Sequence, residues 1–158
     1  MAIKHSTVAV ALAAATLVGL GLAGRGAPSA AAQEQPKFAW ADACKTCHQE
    51  IHAAWEKTKH AHAIVRLNSG EQQKECINCH VTGGPGKIEE NGKFVNANVQ
   101  CESCHGAAAA HAADPTVRTG LTRKPAAAVC ERCHNEKSPH YRGFFYAGML
   151  GFSHPVKK

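Results

Sequence analysis

Four copies of Cys-x-x-Cys-His divide this chain, at residues 44–48, 76–80, 101–105 and 130–134, and every one of its eight cysteines lies inside them. Two thiols three positions apart can add across the two vinyl groups of one porphyrin edge, and the histidine that follows then reaches the iron. Cys44, Cys47, Cys76, Cys79, Cys101, Cys104, Cys130 and Cys133 are therefore the expected covalent anchors, with His48, His80, His105 and His134 as the first axial ligands. The expectation is four covalently attached hemes c. Cys-x-x-Cys pairs also build zinc sites, and eight cysteines in an exported chain can form disulfides. Neither alternative explains why a histidine follows the second cysteine each time.

The first 32 residues read as an export signal. Lys4 supplies the positive start, residues 8–23 the apolar stretch, and Ala30, Ala31 and Ala32 a small-residue cleavage site before Gln33. Gly19, Gly21 and Gly24 interrupt the apolar stretch and argue against a retained membrane anchor. The expected organisation is a signal peptide over 1–32 and one domain over 33–158, without a stable membrane span after cleavage. The expected location is periplasmic or extracellular, which suits heme attachment outside the cytoplasm. Aromatic residues are scarce and the apolar residues of the domain are mostly alanine, so side chains alone would make a thin core. Porphyrin faces must then supply much of the buried surface, and the chain without them should fold poorly.

The net charge of +6 invites a nucleic-acid reading, which arithmetic removes. Loss of Lys4 and Arg25 with the signal leaves 16 basic side chains against 12 acidic ones. A ferric heme with neutral axial histidines and ionised propionates carries roughly −1, so four of them bring the protein near neutrality. The basic side chains then pair with propionates rather than with phosphates.

Between the motifs the pattern is mostly helical. Residues 33–41 read as a polar strand or coil. In residues 49–67, free of glycine and proline, Ile51, Trp55, Thr58, His62 and Val65 recur at helical steps, which predicts one helix ended by Asn68, Ser69 and Gly70. Glycines at 83, 84 and 86 make a loop, and Asn91-Gly92 between residues 87–90 and 93–95 predicts a small hairpin with a type I′ turn. An alanine-rich helix follows Gly106 and ends near Asp114 and Pro115, and another short helix ends at the fourth motif. The tail from Tyr141 holds an aromatic cluster of Phe144, Phe145, Tyr146 and Phe152, then Ser153, His154 and Pro155.

Setting aside His5 and the four motif histidines leaves six of the 11: His52, His60, His62, His111, His140 and His154. Four irons with one motif histidine each have four further positions to fill, and neutral imidazole is a good ligand for them. Met149 is the sole methionine outside the signal and so the sole rival ligand of that kind.

The residues resemble the tetraheme cytochrome c554 family. The resemblance is carried by Trp55-Glu56-Lys57-Thr58-Lys59-His60-Ala61-His62-Ala63, by Cys79-His80-Val81-Thr82-Gly83, by Val99-Gln100-Cys101-Glu102-Ser103-Cys104-His105-Gly106, by His111, and by Ser138-Pro139 and His154-Pro155. It implies distal ligands at His111 for the first heme, His60 for the third and His154 for the fourth. In the type member the second iron lacks a protein ligand on its sixth side. Here His62, two residues after His60, stands as a candidate there, with His52 behind it. Two departures stand out: Ala107 and Ala108 follow Gly106 where the family often has Pro-Gly, and the tail from His134 to His154 is shorter.

The expected fold is mainly α with little regular β, a compact multiheme cytochrome organised around four stacked hemes with one small β-hairpin. The expected function is electron transfer between a donor oxidoreductase and a redox acceptor, with both partners being redox proteins. The alternatives are a reductase of nitric oxide, nitrite or hydroxylamine at a five-coordinate second heme, and a subunit of a conductive filament of identical chains.

Overall fold

The computed structural model describes residues 37–154. The expected export segment over 1–32, together with Pro36 and Pro155, lies outside the described residues. Contacts divide the chain after Glu34, and the unit from Gln35 onward is the one described. Its order is α1 (Trp40–Lys45), α2 (Gln49–Trp55), 3-10 turns at His60–His62, Ile64–Arg66, Glu71–Gln73 and Glu75–Cys79, β1 (Glu89–Glu90), β2 (Lys93–Phe94), α3 (Cys101–His105), α4 (Ala109–Ala113), α5 (Ala127–Glu131) and α6 (Tyr146–Ser153). No described helix is long and apolar enough to cross a membrane.

The hairpin follows the expected turn chemistry. Glu89 pairs with Phe94 and Glu90 with Lys93, antiparallel, and Asn91 and Gly92 between them have φ of 51° and 75°. Positive φ at both central residues is what a type I′ turn requires.

Three elements differ from expectation. Residues 40 and 41 are not coil but the start of α1. The single helix expected over 49–67 stops at Trp55 and continues as two 3-10 turns. The break has a local cause, because the Thr58 hydroxyl donates to the Trp55 carbonyl at 2.7 Å and stands 3.4 Å from the Ala61 N–H as its acceptor. A threonine side chain that takes over backbone partners competes with the helical ladder. Tertiary bonds then hold the new path: Asn98 Oδ1 accepts from Ile64 N–H at 2.9 Å and the Val99 N–H donates to the His60 carbonyl at 3.1 Å. Finally, the aromatic tail forms α6, which its glycines at 148 and 151 concealed.

The interior is held by hydrogen bonds more than by apolar packing. Among the described residues the buried apolar side chains are Ala41, Ala61, Ala63, Ile77 and Val81, three of them alanines. Beside them lie buried Thr82, Asn96, Gln100 and Glu102. Asn96 donates to the Thr82 and Gly86 carbonyls and accepts from Ile88 N–H. Gln100 donates to the Val95 and Ala97 carbonyls at 2.7 and 2.9 Å while accepting from Ala41 N–H at 2.6 Å. These buried polar side chains meet partners, which is the condition for such a core to be stable.

Candidate heme sites

Each motif is a short helical turn. His48 N–H donates to the Cys44 carbonyl and His134 N–H to the Cys130 carbonyl, both at 2.9 Å, and α3 consists of the third motif itself. Residues three and four apart lie on one helix face. That spacing puts both thiols and the histidine on the same side. The second motif sits on the 3-10 turn Glu75–Cys79, with His80 N–H donating to the Ile77 carbonyl at 2.9 Å.

Three of the four motif histidines face a second histidine from elsewhere in the chain. The His48 and His111 rings stand 6.4 Å apart, centre to centre, with 21° between their planes. His105 and His154 stand 5.9 Å apart at 26°, and His60 and His134 6.0 Å apart at 68°. A metal–nitrogen bond of about 2 Å on each side, plus the two ring radii, sets two imidazoles about 6 Å apart across one iron. The observed spacing fits an iron between each pair. Among the described residues no three His, Cys, Asp or Glu side chains gather as a zinc site needs, and none of the eight cysteines is in a disulfide. Pairs suit an iron whose other four ligands are porphyrin nitrogens.

His111 meets His48, as the resemblance implied. The other two pairings are reversed: His60 faces His134 rather than His105, and His154 faces His105 rather than His134. The His60 carbonyl accepts from the Val99 N–H, just ahead of the third motif, while its ring faces the fourth.

Hydrogen bonds at the rings select the nitrogen that a metal can use. His80 Nδ1 lies 2.7 Å from the Ala63 carbonyl oxygen, His105 Nδ1 2.6 Å from that of Thr122, and His111 Nδ1 2.9 Å from that of Val117. A carbonyl can only accept, so Nδ1 carries the proton and the Nε2 lone pair is free for iron. Burial, and then the neighbouring His134, hold His60 below the usual imidazole range, which keeps it neutral.

The second motif is different. Among the described residues no histidine ring stacks opposite His80. His62 is exposed, and the structure does not bring it onto a motif histidine. His52 is buried at 4% exposure against the edge of Trp55, 5.2 Å between ring centres, and its Nδ1 lies 3.5 Å from Glu56 Oε1 without a hydrogen bond. His140 is exposed.

Thiols of different motifs influence one another. The neighbouring Cys101 thiol lowers Cys44, and Cys44 followed by burial raises Cys101. Burial, followed by a hydrogen bond with Cys79, pushes Cys133 up to about 12. Cys104 is raised by burial and then by the charge of Cys130. A cavity of about 320 Å³ opens against Cys104 and His105, walled by Phe38, Val129 and Arg132. Glu102 also lines it. Nothing in the spacing of the motifs pointed to Gln100 or Glu102 as organisers; the signal was two polar side chains flanking Cys101.

Residues 43–106 match the family described as cytochrome c554 and c-prime. A curated relative, cytochrome c-554 of Nitrosomonas europaea, is 31% identical over 83 residues, which is 40% of this chain. The aligned stretch spans only 35% of that relative's length. The solved structure of reduced cytochrome c554 from Nitrosomonas europaea shares the fold, with a TM-score of 0.57 and 21% identity over 77% of this chain and 85% of the other. The outer cell wall cytochrome OcwA aligns at a TM-score of 0.42 and 19% identity over 61% of this chain and 37% of its own.

Proposed function

We propose, from a chain whose residues 43–106 match the family described as cytochrome c554 and c-prime, that this is an exported tetraheme electron carrier of that family between a donor oxidoreductase and a redox acceptor. The family brings multiheme electron transfer and covalently bound heme c; the count of four, the export and the partners are our reading. The single observation that carries it is the set of three facing histidine pairs at 5.9 to 6.4 Å. Heme bound at these sites supplies one-electron chemistry at iron, with the potential set by ligand, burial and hydrogen bonding.

The chain's own residues hold, orient and shield. Cys44 and Cys47 with His48 and His111 would hold the first group, Cys76 and Cys79 with His80 the second, Cys101 and Cys104 with His105 and His154 the third, and Cys130 and Cys133 with His134 and His60 the fourth. The carbonyls of Ala63, Thr122 and Val117 fix the rings of His80, His105 and His111. Glu102, between the anchors of the third site, bonds the Ala39 and Trp40 N–H groups ahead of the first, and Arg132, between the anchors of the fourth, donates to the Ser103 carbonyl of the third. Pyridine hemochrome quantification of the purified holoprotein tests the reading, with four hemes per chain expected and clearly fewer sinking it.

One observation favours a second reading, a small-molecule reductase at the second site: among the described residues, His80 alone of the motif histidines has no histidine ring facing it. Electron paramagnetic resonance of the oxidised protein separates the two. A high-spin signal favours the reductase; four low-spin signals remove it.

A further inference from the structure

We propose that Glu102 is a positioning residue for the first and third sites: its carboxylate clamps together the segments that carry His48 and His111, and its buried charge lowers the reduction potentials at both sites. This rests on the heme reading above and goes beyond it.

The geometry is specific. Glu102 is 4% exposed. Its Oε1 accepts from Ala39 N–H at 2.9 Å and from Ala108 N–H at 2.7 Å, and its Oε2 accepts from Trp40 N–H at 2.9 Å. Ala39 and Trp40 open α1, whose last turn carries Cys44 and leads to Cys47 and His48. Ala108 immediately precedes α4, which carries His111. One carboxylate therefore ties down the starts of both segments whose rings face each other at 6.4 Å. Neither helix has a side-chain cap of its own. Trp40 is also held at φ 66°, a left-handed conformation that a residue with a Cβ adopts only when its surroundings enforce it.

Glu102 belongs equally to the third site. It follows Cys101, whose thiol meets Cys44, and it lines the cavity against Cys104 and His105. Both of its oxygens meet N–H donors, an arrangement suited to the acceptor-only carboxylate. A fixed negative charge in a poorly solvated place favours the more positive, oxidised iron, so potentials nearby fall. The hydrogen bonds of Glu102 reach none of the segments that carry His60, His80 or His134.

Holoprotein carrying Glu102→Gln is the test, after heme quantification of the parent protein has established that four hemes are present. A parent with fewer would sink the tetraheme reading before this experiment began. The variant should keep four hemes, raise the midpoint potentials of two of them in spectroelectrochemical titration, leave the other two unmoved, and shift the low-spin resonance of the His48–His111 pair. A lower melting temperature with all four potentials unchanged would make Glu102 merely a helix cap and overturn the proposal. Gln100→Ala, which frees the neighbouring Ala41 N–H without touching the charge, should lower the melting temperature and leave the potentials alone. If it moves the same two potentials equally, the proposal fails. Should Glu102→Gln not load hemes, Glu102→Asp keeps the charge but cannot span both helix starts. It should alter the His48–His111 resonance at nearly parental potentials, and an unaltered resonance there overturns the clamp.

Discussion

A histidine becomes an iron ligand when one ring nitrogen is occupied by a carbonyl and the other is aimed at the metal. The two nearly parallel pairs, at 21° and 26°, and the crossed pair at 68° should not look alike in electron paramagnetic resonance. Crossed imidazole planes leave two iron d orbitals nearly equal in energy, which gives a strongly anisotropic low-spin signal; parallel planes split them and give a rhombic one. His60→Ala should therefore abolish the anisotropic signal and create a high-spin heme, and His134→Ala should remove the same signal. Loss of a rhombic signal instead would restore the pairing of His60 with His105. His111→Ala and His154→Ala should each remove one rhombic signal. His62→Ala and His140→Ala, both at exposed positions, should leave every spin state as it was.

Among the elements, short helices are started by distant side chains. α1 takes its first N–H partners from Gln100 and Glu102, about 60 residues along the chain. The turn after α2 depends on one hydroxyl. Thr58→Val keeps the shape and removes both hydroxyl bonds, which should cost about 1–3 kcal/mol in guanidinium unfolding and broaden the resonance of the His60–His134 pair. An unchanged midpoint would show that the break at Trp55 has another cause. Gly106 ends α3 at φ 97°, and a Cβ there would collide with the Gly120 carbonyl oxygen. Gly106→Ala should lower the unfolding free energy by more than about 1 kcal/mol and reduce heme loading at the third site, read by mass spectrometry of the tryptic heme peptides.

At the scale of the whole molecule, the apolar bookkeeping is unusual. Ile77 and Val81 are the only large aliphatic side chains among those buried in the described residues, each contributing about 1.5–3 kcal/mol. Val65, Phe145 and Phe152 are 72%, 70% and 74% exposed. On the heme reading, such a chain would rely on covalent cofactors for its core, and cofactor binding would then be inseparable from folding. The chain with all eight cysteines changed to serine should lose most of its helical circular dichroism and its cooperative melting. Retention of a native-like melt would mean that the hydrogen-bonded interior of Thr82, Asn96, Gln100 and Glu102 suffices alone.

The sequence by itself determined what is written in local spacing. The four motifs, the type I′ hairpin and the end of the alanine-rich helix near Asp114 are set within a few residues, so they could be read directly, as could the pool of spare histidines. It did not determine which histidine meets which motif, because that depends on how segments far apart in the chain are brought together. The pairing of His60 with His134 and of His154 with His105, and the Glu102 clamp on α1 and α4, were decided by tertiary structure. The physical reason is that backbone N–H groups at helix starts, and imidazoles with one satisfied nitrogen, take whatever partner the fold delivers. Spacing along the chain carries no record of that delivery.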